Sequence, residues 1–393
     1  MNILFVTGMF AKDKNDTALS GMPNAVYKSA VGMQLIGHRV RILTVDGREG
    51  RWVYRGIRVI SVCGKHGLTE NNIVKTLYCI IQREIKLERV IRELHKEEPI
   101  DIIQYVGWFG IGMLHYSNIP AVMRISSYTK IQLVNNYNKS TRRVLEMAEY
   151  LAAMRMNYIY APSRIMAEGM EKNLGKKVGV IETPYLQENF GWNEKILSTK
   201  LYNKKYIFFF GRMSVDKGIL VIKDILYRVL DKYPNIYFVF AGISWEHNGV
   251  IIEKELLKAA KQYKKRVIFL GLLSRDELMP VVNNAEIILM PSLVDNFPNA
   301  CAEAMALGKI VIGTDGSSLE QFIKDGYNGY LAEVGNPNSL FSVLERAFSL
   351  NERQRGIIAD NARKRIKQLD LETYSQKMAL IYSKIISLYK EGS

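Results

Sequence analysis

Ile287-Ile288-Leu289-Met290-Pro291-Ser292-Leu293-Val294-Asp295-Asn296-Phe297-Pro298-Asn299-Ala300-Cys301-Ala302-Glu303-Ala304-Met305-Ala306-Leu307-Gly308 contains a strand, a loop and the start of a helix in one short run. The apolar stretch Ile287–Met290 reads as a buried strand that Pro291 ends. Pro298 suits the first turn of the helix and Gly308 its stop. Free backbone N–H groups and the positive dipole end at such a helix start can hold an anion. Asp295 lies in the loop and Glu303 in the helix. Two acids on either side of an anion site suit a ligand with phosphate at one end and hydroxyls at the other, as in a nucleotide sugar.

Six apolar runs alternate with helical stretches in the closing half: Tyr206–Phe210, Ile236–Ala241, Val267–Leu270, Ile287–Met290, Ile310–Gly313 and Gly329–Ala332. That alternation predicts an α/β unit with a parallel sheet. The opening half has the same rhythm. Strand Asn2–Val6, helix Pro23–Ile36 and strand Arg39–Val45 make a βαβ unit. A hairpin or edge strand over Trp52–Val62, a long amphipathic helix over Lys75–Lys96, and strands at Asp101–Val106 and Ala121–Ile125 follow. A basic helix over Arg142–Arg155 precedes a strand at Tyr158–Ala161. The weakly periodic stretch Ile181–Asn193, with Pro184, suits a domain boundary. The expected division is residues 1–188, residues 189–370, and a last amphipathic helix in residues 371–393.

The chain has 393 residues and is 48% hydrophobic, enough for two cored domains. Cys63, Cys79 and Cys301 show no CxxC pairing, which favours a reducing, cytoplasmic setting over a disulfide scaffold. The start, Met1–Gly8, reads as a first strand rather than a signal peptide. No apolar stretch approaches the ~20 residues that span a bilayer. The net charge is +15, and residues 1–190 hold 26 Lys/Arg against 17 Asp/Glu, so most of the excess lies in the first half. An anionic membrane surface is the expected partner for this charge. Nucleic acid is not expected, because no recognition motif accompanies the charge. Metal is not expected either: no loop Asp-x-Asp occurs, and Cys and His spacings match no zinc pattern. Oligomeric state is left open.

Phe209-Phe210-Gly211-Arg212-Met213-Ser214-Val215-Asp216-Lys217-Gly218, taken with the run above, resembles the donor site of retaining GT-B glycosyltransferases of family 4 (glycosyl transferases group 1). The resemblance implies two Rossmann-like domains facing each other across a cleft: an acceptor-binding domain first, a nucleotide-sugar-binding domain second, and a final helix returning to the first. It implies a hexosyltransferase-type, metal-independent activity (EC 2.4) without a cofactor. A sugar would move from a UDP- or GDP-sugar to a hydroxyl of an oligosaccharide or lipid-linked surface-glycan precursor. Arg212 and Lys217 would bind the diphosphate, aided by the loop at Gly211 and the N–H groups of Asn299 and Ala300. Glu303 would accept from the ribose, and Asp295, with Asn296 and Phe297 beside it, would hold the transferred sugar. Asp295 stands where relatives usually carry Glu. Gly271 resembles the part that meets the nucleobase.

In the first domain, Gly21 in Ser20-Gly21-Met22-Pro23 would approach the ligand closely, although relatives often have two glycines there. Ser126 takes the place after strand Ala121–Ile125 where relatives often have His. None of His38, His66, His95, His115 and His247 substitutes for it by position. Lys75–Lys96 and Arg142–Arg155 are the expected membrane-facing helices. A nucleotide-sugar epimerase and a catalytically silent GT-B binding subunit are the competing readings.

Overall fold

The computed structural model describes residues 1–11, 21–45, 49–62, 72–116, 118–130, 137–188 and 191–391. Ser20, Cys63 and His66 fall outside them. The chain divides into two compact units, Met1–Leu186 with Leu369–Ser393, and Gln187–Gln368. Each is a Rossmann-like α/β unit built on a largely parallel sheet.

The first unit contains β1 (Asn2–Thr7), α1 (Met22–Leu35), β2 (Arg39–Thr44), β3 (Gly50–Tyr54), β4 (Ile57–Ser61), α2 (Ile73–Glu97), β5 (Ile102–Gly107), β6 (Ala121–Ile125), α3 (Lys139–Met154), β7 (Tyr158–Ala161), α4 (Arg164–Leu174) and β8 (Gly179–Val180). Its strand order is β3-β4-β2-β1-β5-β6-β7-β8. The expected hairpin over Trp52–Val62 is β3 paired antiparallel with β4, and β4 also joins β2 in parallel. Both faces of this sheet are buried, as a parallel sheet requires. Leu4 and Val6 pack with α2, α3 and α4, while Ile3 and Phe5 pack with α1 and α12 (Leu371–Glu391). Gly32 in α1 allows α12 its close approach: a Cβ there would lie 2.1 Å from Ser375 Oγ. The Tyr374 hydroxyl bonds Ser29 Oγ at 2.9 Å, which fixes α12 in register.

The second unit contains α5 (Lys195–Thr199), β9 (Lys205–Phe210), α6 (Ile219–Lys232), β10 (Ile236–Ala241), a small hairpin β11 (Glu246–His247) and β12 (Val250–Ile251), α7 (Ile252–Ala259), β13 (Val267–Phe269), α8 (Arg275–Asn284), β14 (Ile287–Leu289), α9 (Asn299–Ala306), β15 (Val311–Thr314), β16 (Tyr330–Ala332), α10 (Pro337–Phe348) and α11 (Glu352–Lys367). Its main sheet runs β13-β10-β9-β14-β15-β16. In chain order that is 3-2-1-4-5-6, the dinucleotide-fold order whose direction reverses between its first and fourth strands. The reversal therefore falls between β9 and β14, which pair in parallel through Ile207 and Phe208. Ligands of open α/β sheets bind beyond the carboxyl ends of the strands at such a reversal.

Candidate functional site

The two loops that leave this reversal carry the residues singled out by sequence. Past β9, Gly211 takes φ 127° and the chain runs through Arg212 to a short 3-10 turn at Val215–Lys217. Past β14, the chain runs through Asp295 to α9. Main-chain bonds tie the loops together: the N–H groups of Leu293 and Val294 donate to Asp216 O at 2.9 and 3.3 Å. Gly218 makes the approach possible. It has φ 72°, and a Cβ there would fall 1.7 Å from Pro291 O.

That contact brings Lys217 onto Asp295, with Nζ 2.5 Å from Oδ2. Asp295 is held in turn by Ser292 Oγ at 3.3 Å and by the Asn296 N–H at 2.8 Å. Arg212 donates from Nη2 to Asp216 at 2.6 Å and from Nε to Ser214 Oγ at 3.1 Å. Its guanidinium also lies 4.4 Å from the centre of the Trp245 ring. Asp216, Ser214 and Trp245 thus orient this loop arginine, and Asp216 and Trp245 are supports that sequence reading passed over.

Phe297 has φ 65°, a strained value for a bulky residue and one that collects at functional sites. Its ring is buried 4.1 Å from the Phe322 centroid, and its N–H donates to Ser318 Oγ at 3.1 Å. Phe297 thus shapes the loop from within the core. After Pro298, α9 starts at Asn299 and Ala300 with no side-chain cap. The first N–H groups of that helix, at its positive end, are suited to an anion.

Glu303 is buried in α9 between Ala302 and Ala304, as the small neighbours suggested. A buried carboxylate needs a partner, and Arg275 supplies it in bidentate form, at 2.8 Å to Oε1 and 2.9 Å to Oε2. Sequence reading missed Arg275. The only signal for it was that a buried Glu demands a cation, and the partner lies 28 positions away on another helix. Gly271 has φ 72° past β13, and its carbonyl accepts from Gly242 N at 2.8 Å. Arg212, Lys217, Asp295, Asn296, Asn299, Ala300 and Glu303 thus belong to one loop cluster and the helix that follows it.

In the first unit, Gly21 has φ 58° at the start of α1. Ser126 follows β6, and its hydroxyl accepts from buried Arg124 at 2.5 Å. Beyond β5 and β6, Glu149 of α3 accepts from Thr129 N at 3.0 Å and Thr129 Oγ1 at 2.8 Å. Burial pushes its carboxyl up to about 7, against the pull of those donors and of the Phe109 N–H. Among the described residues, no group of three or more His, Cys, Asp or Glu could hold a metal ion. No described helix is long and apolar enough to cross a membrane.

Comparison with known proteins bears on the fold and the class of activity. Residues 193–365 match the family model described as Glycosyl transferases group 1. An uncharacterised glycosyltransferase of Methanocaldococcus jannaschii is 24% identical over 85% of this chain and 86% of its own length. Lipopolysaccharide 1,2-N-acetylglucosaminetransferase of Salmonella typhimurium is 27% identical over 52% of this chain, which spans 56% of that enzyme. Among solved structures, sucrose-phosphate synthase of Thermosynechococcus elongatus superposes with a TM-score of 0.74 at 16% identity, over 98% of this chain and 99% of that one. Anabaena HepE, in complex with UDP and glucose, gives 0.72 at 18% identity, over 98% and 100%. The fold is GT-B, and these findings support a glycosyltransferase of the group 1 type; they do not favour an epimerase or a silent binding subunit.

Proposed function

We propose that the chain moves a sugar, with retention of anomeric configuration and without a metal, from a UDP- or GDP-sugar to a hydroxyl of a surface-glycan precursor. One observation carries this reading: two cations, two acids and an uncapped helix start gather on the loops and helix that follow β9 and β14, the strands flanking the sheet reversal. Arg212, Lys217 and the N–H groups of Asn299 and Ala300 hold the diphosphate and offset the charge that grows as it leaves. Glu303 accepts from the ribose hydroxyls, and Asp295 from the transferred sugar. No side chain of the cluster is assigned as a covalent nucleophile. The departing phosphate takes the acceptor's proton on the same face.

HepE's complex with UDP and glucose supports a uridine donor. The Salmonella relative's name supports an acceptor in a surface glycan. A lipid-linked acceptor at the inner face of the plasma membrane fits the exposed face of α2, where Val74, Leu77, Tyr78 and Ile85 stand among Lys75, Lys86 and Arg89.

A panel of UDP- and GDP-sugars tests the donor assignment by thermal stabilisation and slow hydrolysis. One nucleotide sugar is expected to raise the melting temperature and to be hydrolysed, and Lys217→Ala to slow the hydrolysis sharply. Stabilisation by none of them, or hydrolysis unchanged in that variant, overturns the reading.

A further inference from the structure

The acid that the donor reading assigns to ribose already has a partner. Both Glu303 oxygens accept from the Arg275 guanidinium, at 2.8 and 2.9 Å. The Glu303 side chain is 7% exposed and that of Arg275 is 25%, so the arginine is the more accessible member of the pair. A guanidinium fork and a vicinal diol both present two adjacent donors to a carboxylate. They compete for the same edge.

The place of Arg275 in its own helix points the same way. It is the first residue of α8, at the positive dipole end, where a cation is disfavoured. The turn does not need it: Ser274 and Glu277 already form a capping box there. What offsets the poor placement is the pair with Glu303. A cation opposed by its own helix is a partner that can be exchanged.

We infer that Arg275 is a specificity-determining residue that holds Glu303 in the nucleotide-free protein and gives way to the ribose 2′ and 3′ hydroxyls when the donor binds. The inference rests on the donor reading and adds to it a residue and an exchange of partners. Only a ligand that donates to both carboxylate oxygens can replace the fork without leaving a buried acceptor unsatisfied. The exchange therefore selects an intact ribose over a sugar lacking hydroxyls.

Calorimetric titration of the full chain with UDP, GDP and their 2′,3′-dideoxy forms tests this, comparing wild type with Arg275→Met. Removing the competitor is expected to tighten the ribonucleotide about tenfold and to leave the dideoxy form unchanged. Arg275→Lys folds as a charged variant but lacks the fork, so it is expected to fall between the two; it decides the matter if the Met variant does not fold. Ribonucleotide binding that is equal or weaker in both variants, or a parallel change for the dideoxy form, overturns the inference alone. Failure of wild type and variants alike to bind either ribonucleotide overturns the donor reading together with it.

Discussion

Lys217 and Asp295 meet because one glycine lets two loops touch. If Lys217 stabilises the leaving diphosphate, Lys217→Ala lowers turnover by about 10²–10³, the range for losing one preorganised charge-stabilising donor. Initial rates with the donor found in the panel check this, and a loss of less than tenfold would assign the charge elsewhere. Gly218 is a structural requirement of the same contact. Its φ of 72° and the 1.7 Å approach of Pro291 O leave no room for a methyl group. Gly218→Ala is expected to cost about 1–3 kcal/mol from backbone strain alone, read as a lower denaturation midpoint. A stability equal to wild type would mean that the loops separate without cost. The placement of both cations and both acids on the loops after β9 and β14 and on α9 was legible in the sequence, because post-strand loops and a proline-led helix have recognisable chemistry. Arg275, Asp216 and Trp245 were not, because their roles depend on which side chains the fold brings together across separate elements. The inward turn of the Phe297 ring onto Phe322 was not legible either, because it depends on the core that the fold assembles beneath the loop.

Among the elements, strands and helices of strong periodicity were read to within a few residues, and the antiparallel β3–β4 pair is the hairpin of the two forms expected there, hairpin or edge strand. Gly32 carried no signal in its own helix. Its purpose emerges only where α12 packs against α1, and Gly32→Val is expected to cost about 1–3 kcal/mol by overpacking. Near-ultraviolet circular dichroism should report the disturbed Tyr374 and Tyr382; an unchanged spectrum and midpoint would contradict that packing. In α3, the buried Glu149 predicts a pH effect with a definite sign. Its folded-state value of about 7 lies above the ordinary 4.5, so the folded protein binds the proton more tightly. Stability is then full below about pH 4.5 and falls as pH rises toward about 7. That loss is on the order of 3 kcal/mol. Denaturant titrations across this range should show a decline that Glu149→Gln flattens. A decline of equal slope in the variant would assign it to other groups.

For the whole molecule, composition anticipated two cored units, and the alternation of strands and helices anticipated a parallel sheet in each. Strand order could not be read, since it depends on which crossovers return to which edge. The order β13-β10-β9-β14-β15-β16 is what brings two distant motifs side by side. The charge of +15 belongs to this scale as well. Flotation with anionic vesicles should show binding that weakens with salt and with Lys75→Glu/Lys86→Glu, as surface electrostatics requires. Equal binding to neutral and anionic vesicles would remove the membrane from the account. The central claim is that the reversal between β9 and β14 holds a nucleotide diphosphate, and a crystal structure of the full chain with bound UDP or GDP tests it most directly. The account predicts the diphosphate between Arg212, Lys217 and the first turn of α9, with the ribose on Glu303. A nucleotide bound elsewhere, with the Lys217–Asp295 and Arg275–Glu303 pairs intact, would contradict it.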